Sequence, residues 1–116
     1  MSDKDLKLPP IPKTATLRQW QDYVGEIVRK RGWEKADNLE IFLLFTEEVG
    51  ELAKAFREHR ELFTEESKCT QNSKRELAHE MADVLSYLLD LANRMDIDLE
   101  QAAKEKEEIN RGRHWD

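Results

Sequence analysis

Proline is confined to one end of this chain: Pro9, Pro10 and Pro12 are its only prolines in 116 residues. Nothing from residue 14 onward therefore removes a backbone donor or locks φ, and long uninterrupted helices are permitted there. Cysteine is almost missing. Cys69 is single, so no internal disulfide can form, and its polar neighbours Lys68 and Thr70 suggest a loop. A lone thiol suits a reducing compartment, so the expected location is cytoplasmic. No apolar stretch approaches the ~20 residues that span a bilayer, which argues against a membrane role. Residues 1–13 lack the apolar region of a secretory signal. No alternating pattern marks a strand, and no repeat or inter-domain linker is visible. Basic charge is in deficit: 19 Lys and Arg stand against 25 Asp and Glu, a net charge of -6. A binder of nucleic-acid polymers usually carries a basic face, so the balance argues against that partner class as the main one and leaves room only for a local basic cluster.

What remains is charged (38%) and hydrophobic (39%) in nearly equal parts, a mixture that suits amphipathic helices. Residues 1–13 are expected as a flexible extended arm, and residues 14–116 as one helical domain. Thr16 and Gln19 form a capping-box pattern. A helix should follow to about Arg31, with Leu17, Trp20, Val24, Ile27 and Val28 on one face and Gly32 as its stop. Asp37 with Glu40 opens a second helix, to about Glu61. Its stripe is Ile41, Leu44, Phe45, Glu48, Leu52, Ala55 and Phe56, so Glu48 interrupts an apolar face. Residues 63–73 lack periodicity and are expected as a connection. Ser73 with Glu76 should cap a third helix, to about Met95. That helix is apolar nearly all round, which predicts a central position. Asp98 with Gln101 opens the last helix, which ends near Asn110-Arg111-Gly112-Arg113.

Two acidic pairs stand out, Glu48 with Glu51 and Glu80 with Asp83. Their i,i+3 spacing puts each pair on one helix face. If the faces meet, four carboxylates share one pocket and need a counter-charge. A hard divalent cation such as Mg2+, which prefers oxygen ligands, supplies it. In so acidic a chain the plain alternative is a solvated helix face. Asp83 resists that alternative, because aspartate is a poor interior helix residue and here lies between Ala82 and Val84. A salt bridge to Lys or Arg is the structural alternative for the whole set.

Glu76-Leu77-Ala78-His79 matches one ExxH element, but a di-iron bundle needs two, and neither His59 nor His114 supplies another. Trp33 and Tyr87 suit either a core role or a place beside a nucleotide base. Lys104, Lys106, Arg111 and Arg113 are either charges that complement a helix dipole or ligands for phosphate.

Glu47-Glu48-x-x-Glu51, then 28 intervening residues, then Glu80-x-x-Asp83 resembles the EExxE…ExxD signature of the MazG-like all-α nucleoside triphosphate pyrophosphohydrolases. The tail Lys106-x-x-Ile109-Asn110-Arg111-x-Arg113 agrees. The resemblance covers roughly residues 17 to 113 and is closest to the single-domain branch that includes dCTP pyrophosphatases. That branch often carries a tryptophan shortly after the first acidic motif, where this chain has Ala55-Phe56-Arg57-Glu58. The resemblance implies an all-α four-helix bundle protomer, assembled as a dimer or a dimer of dimers. It implies hydrolysis of (deoxy)nucleoside triphosphates to monophosphate and pyrophosphate. Mg2+, with Mn2+ as a possible substitute, would be held by Glu48, Glu51, Glu80 and Asp83.

Glu47 is about 100° around the helix from Glu48 and is the candidate for handling the attacking water. Lys106 and Arg113 are the candidates for phosphate, Asn110 for sugar or base, and Trp33 and Tyr87 for the base. The alternatives are a dUTPase-like or phosphoribosyl-ATP pyrophosphohydrolase role on the same fold, or a non-catalytic helical interaction protein.

Overall fold

The computed structural model describes residues 3–60 and 71–113. Regular structure within them is helical throughout: α1 Leu17–Arg31, α2 Asn38–Arg60, α3 Gln71–Arg94 and α4 Leu99–Arg111, with 3-10 turns at Asp3–Asp5 and Trp33–Lys35. The all-α class expected from the sequence is the one observed. Cys69, His114 and most of the connection expected over 63–73 lie outside the described residues. The chain divides into two compact units, Met1–Lys35 with Leu89–Asp116, and Ala36–Leu88.

Helix ends follow local chemistry where a cap is available. The Thr16 hydroxyl accepts from the Gln19 amide at 3.1 Å, and the Gln19 side chain accepts from the Thr16 amide at 2.8 Å. Two orphan donors at this helix start are thus satisfied. Gly32, at φ 76°, closes α1 in the left-handed conformation and donates to the carbonyls of Arg29 and Val28. Asp98 caps α4 by accepting from the Gln101 amide. The exit of α3 is less usual, because Asp96 has φ 55° where glycine is the common choice. The Ile97 amide reaches back to Ala92 and the Asp96 amide to Asn93, which ties up the last carbonyls.

One expected cap is corrected. Ser73 does not open α3, which begins two residues earlier at Gln71. Its hydroxyl instead shares a 2.9 Å hydrogen bond with Nδ1 of His59 near the end of α2. A partner on another helix outcompetes the local backbone for a serine hydroxyl.

In the first unit, Val24, Val28 and Leu89 form the core, flanked by Trp20 and Leu99. Gln21 is buried among them at 1% exposure. Its Nε2 donates to Asn93 Oδ1 (3.0 Å) and to the Ile97 carbonyl (2.7 Å), and its Oε1 accepts from the Leu99 amide (3.1 Å). Asn93 Nδ2 returns a bond to the Gln21 carbonyl. One amide thereby joins α1, the end of α3 and the start of α4. The second unit is thinner. Among its described residues only Ile41 and Leu77 are buried apolar side chains. Phe42, Leu43, Phe56, Met81, Leu85 and Leu88 are exposed. The apolar circumference that placed α3 centrally is therefore present in the sequence, but much of it is uncovered in a single copy.

Gln21→Leu keeps roughly the same volume and strands three polar partners. It should cost about 2–3 kcal/mol, the penalty for buried groups left without hydrogen bonds. Thermal unfolding measures it, and a change below about 0.5 kcal/mol would show the network to be dispensable.

Candidate active site

Glu48 lies midway along α2, and Glu80 and Asp83 lie one turn apart on α3, all in the Ala36–Leu88 unit. One carboxylate oxygen of each lies within 4.8 Å of the others. Glu48 and Glu80 are half-buried and Asp83 is exposed, so the cluster has a dry side and a wet side. The Glu48 carboxyl is pushed above the ordinary glutamate range. Removal from water is the main cause, followed by the charges of Asp83 and Glu80, a hydrogen bond shared with Glu80, and the charge of Glu51. A hydrogen bond between two carboxyl groups needs a proton between them. The Oε2 atom of Glu80 is buried with no hydrogen-bond partner.

These features fit a divalent cation. Three oxygen donors converge without a thiolate or an imidazole, which suits Mg2+ better than zinc. The orphaned Glu80 oxygen is an acceptor that a cation would satisfy, and a cation would replace the proton between the carboxyls. Glu51, one turn past Glu48 on α2, is exposed and is not among the three, though its charge reaches Glu48. Glu47 is exposed on the same helix. His79 is exposed beside Glu80 on α3 and takes no part in the cluster.

The other predicted site residues are placed as follows. Tyr87 is half-buried on α3, one turn beyond Asp83. Trp33 belongs to the first unit. It opens the short turn after α1 and is 54% exposed. Asn110 is half-buried near the end of α4, and Lys106 and Arg113 are exposed on and just after that helix. Two neighbouring cations answer to the plainer reading. Arg111 pairs with Glu107 at 3.4 Å and Lys104 with Glu100 at 3.9 Å, both at i,i+4 spacing along α4.

Sequence reasoning missed the surroundings of Trp33. Arg94 donates to the Trp33 carbonyl and to Asp90, and the Arg31 guanidinium lies over the indole ring. The i,i+4 spacing of Asp90 and Arg94 signals their own pairing. It does not signal the reach of Arg94 to the Trp33 carbonyl, and the nearness of Arg31 to Trp33 in sequence does not by itself signal a ring contact.

The described chain is all-α and converges carboxylates alone, one of them with a buried free acceptor, which is the donor set a hard cation prefers. Residues 36–115 match the MazG nucleotide pyrophosphohydrolase domain, and the chain belongs to that family. It is also 30% identical, over 112 residues, to the mouse (Mus musculus) protein dCTP pyrophosphatase 1. That match covers 96% of this chain and 64% of the mouse protein, so the chain spans just under two thirds of that relative's length.

The raised Glu48 carboxyl sets the sign of a pH effect. The folded chain keeps this proton after the unfolded chain has released it. The stability it contributes is therefore full at low pH and falls as pH rises through the raised value. In metal-free protein, Glu48→Gln should gain in melting temperature relative to wild type as pH rises from about 4 to about 7. Saturating Mg2+ should shrink that gain by stabilising wild type. Melting curves that stay parallel across this range would remove the shared proton from the picture.

Proposed function

We propose that this protein hydrolyses a nucleoside triphosphate to the monophosphate and pyrophosphate, as a nucleotide-pool house-cleaning enzyme of the cytoplasm. The observation that carries the reading is the convergence of Glu48, Glu80 and Asp83 around an unpartnered buried oxygen, in a chain of the MazG family. The name of the mouse relative supports dCTP, or a non-canonical deoxynucleotide near it, as the substrate. Among the described residues no helix is long and apolar enough to cross a membrane.

Glu48, Glu80 and Asp83, with Glu51 from the adjoining turn, would hold Mg2+, or Mn2+ in its place. Such an ion, when bound, neutralises polyphosphate charge and acidifies water. The chain's own groups do the rest. Glu47 orients the attacking water and accepts its proton. A phosphorus–oxygen bond to water forms, the α–β bridge bond breaks, and pyrophosphate leaves with the electron pair. Lys106 and Arg113 neutralise phosphate oxygens. Asn110 hydrogen-bonds sugar or base, while Trp33 and Tyr87 offer flat surfaces to the base. The burial of Glu48 lowers the local dielectric and strengthens its attraction for a cation.

Pyrophosphate release from a panel of nucleoside triphosphates, with and without Mg2+, tests this directly. Turnover should require the metal and favour a deoxynucleotide. Asp83→Ala should lower it by at least about a hundredfold while leaving the fold intact, and Glu47→Gln should lower kcat with little change in KM. No metal-dependent release from any nucleotide, in folded protein, would leave the cluster as a cation site without this chemistry.

The same unit supports self-association as a homodimer or homotetramer. A groove of about 700 Å³ is lined by Val49, Gly50, Ala53, Phe56 and Met81, with Lys54 and Arg57 among its lining residues. Exposed apolar surface of this kind is uncommon on a stable monomer. Light scattering at micromolar concentration should give a dimer or larger, and Phe56→Glu or Met81→Glu should shift it toward monomer. A monomeric wild type would overturn the assembly.

A further inference from the structure

Trp33 is held at its backbone, while the residue as a whole remains about half exposed. Its carbonyl accepts from Arg94 Nη2 at 2.8 Å. The Nε of Arg94 donates to Asp90 at 3.0 Å, and these two side chains are only 9% and 10% exposed. A buried ion pair on α3 thus anchors the peptide at Trp33. The ring has a different neighbour. The Arg31 guanidinium lies 4.8 Å from the ring centroid, yet Trp33 remains 54% exposed. One face is occupied, and the residue as a whole is not buried.

Arg31 is itself held from the N-terminal segment. Its Nε donates to Asp3 Oδ1 at 3.1 Å and its Nη2 to Asp3 Oδ2 at 2.6 Å. Two parallel bonds fix the plane of a guanidinium as a single bond cannot. The Asp3 carboxyl is held below its usual range by that hydrogen bond. An ion pair with Asp3 this exposed adds little to stability. Orientation is what it supplies.

We propose that Arg31 and Asp3 are positioning residues for the Trp33 ring: the carboxylate fixes the guanidinium, the guanidinium fixes one face of the indole, and the opposite face is presented to the planar base of the nucleotide. The identity of that occupant rests on the function proposed above. The geometry of the ring does not. A lysine at position 31 would keep the charge and lose the fork, and an asparagine at position 3 would keep the shape and lose the charge.

The test uses the full-length chain. The indole N–H resonance of Trp33, assigned by its loss in Trp33→Phe, is followed in Asp3→Asn and Arg31→Gln. Both substitutions should move it in the absence of nucleotide. Both should also raise KM by about two- to fivefold, the worth of an exposed cation–ring contact, with kcat unchanged. The double exchange Asp3→Arg with Arg31→Asp restores the ion pair but takes the cation off the ring. It should melt as wild type does and keep the raised KM. An indole resonance unmoved in both single variants overturns the positioning role. A double exchange with wild-type KM overturns it too, by showing that only the tether matters. A wild type that hydrolyses no nucleotide overturns the nucleotide as occupant, and the indole shift then decides ring positioning alone.

Discussion

Like charges on α2 and α3 are pressed together, and most features of the second unit follow from that repulsion. Three carboxylate oxygens within 4.8 Å of one another are stable only if something intervenes. In the protein alone that crowding holds the Glu48 carboxyl above the usual glutamate range, through removal from water first and the charges of Asp83 and Glu80 next. Among the described residues of this unit Ile41 and Leu77 are the buried apolar side chains, and the His59–Ser73 hydrogen bond joins the two helices. On the proposed reading a cation relieves the crowding, and the cost of gathering the acids becomes affinity for the ion.

Much of this was legible in the sequence, because helix ends and helix faces are local properties. Thr16 and Asp98 cap the helices they precede, and Gly32 ends α1 with the positive φ that glycine tolerates. The acidic pairs were found by spacing alone. Spacing, however, treats Glu51 and Glu80 alike, since each lies three residues from its partner. Which of them enters the cluster depends on how α3 is turned toward α2, and no local pattern encodes that rotation. Ser73 misled for a related reason. Its capping pattern is genuine, but its hydroxyl has a partner on another helix.

The contacts around Trp33 mark the other boundary of what a sequence discloses. Asp3 reaches Arg31 across a separation of 28 residues, from a segment whose composition reads only as an arm. Arg31 sits among Arg29 and Lys30, where a basic run at a helix end is sufficiently explained by the dipole. Nothing distinguishes it until the fold places its guanidinium over a ring. Long-range electrostatic pairs are the part of a structure that periodicity cannot see, because they belong to no repeat.

The carboxylate cluster and the largest share of uncovered apolar surface occupy the same stretch, Ala36–Leu88. In the other unit Val24, Val28 and Leu89 form a buried core and the polar network at Gln21 is satisfied. The acidic crowding and the larger share of uncovered apolar surface thus fall in the unit where the metal is proposed to bind. On the proposed reading, a second copy of the chain supplies the missing burial and a cation the missing charge. Either would stabilise the folded form by mass action, since neither binds the unfolded chain as well. A unit that is finished only by its partners is also one whose stability tracks their presence.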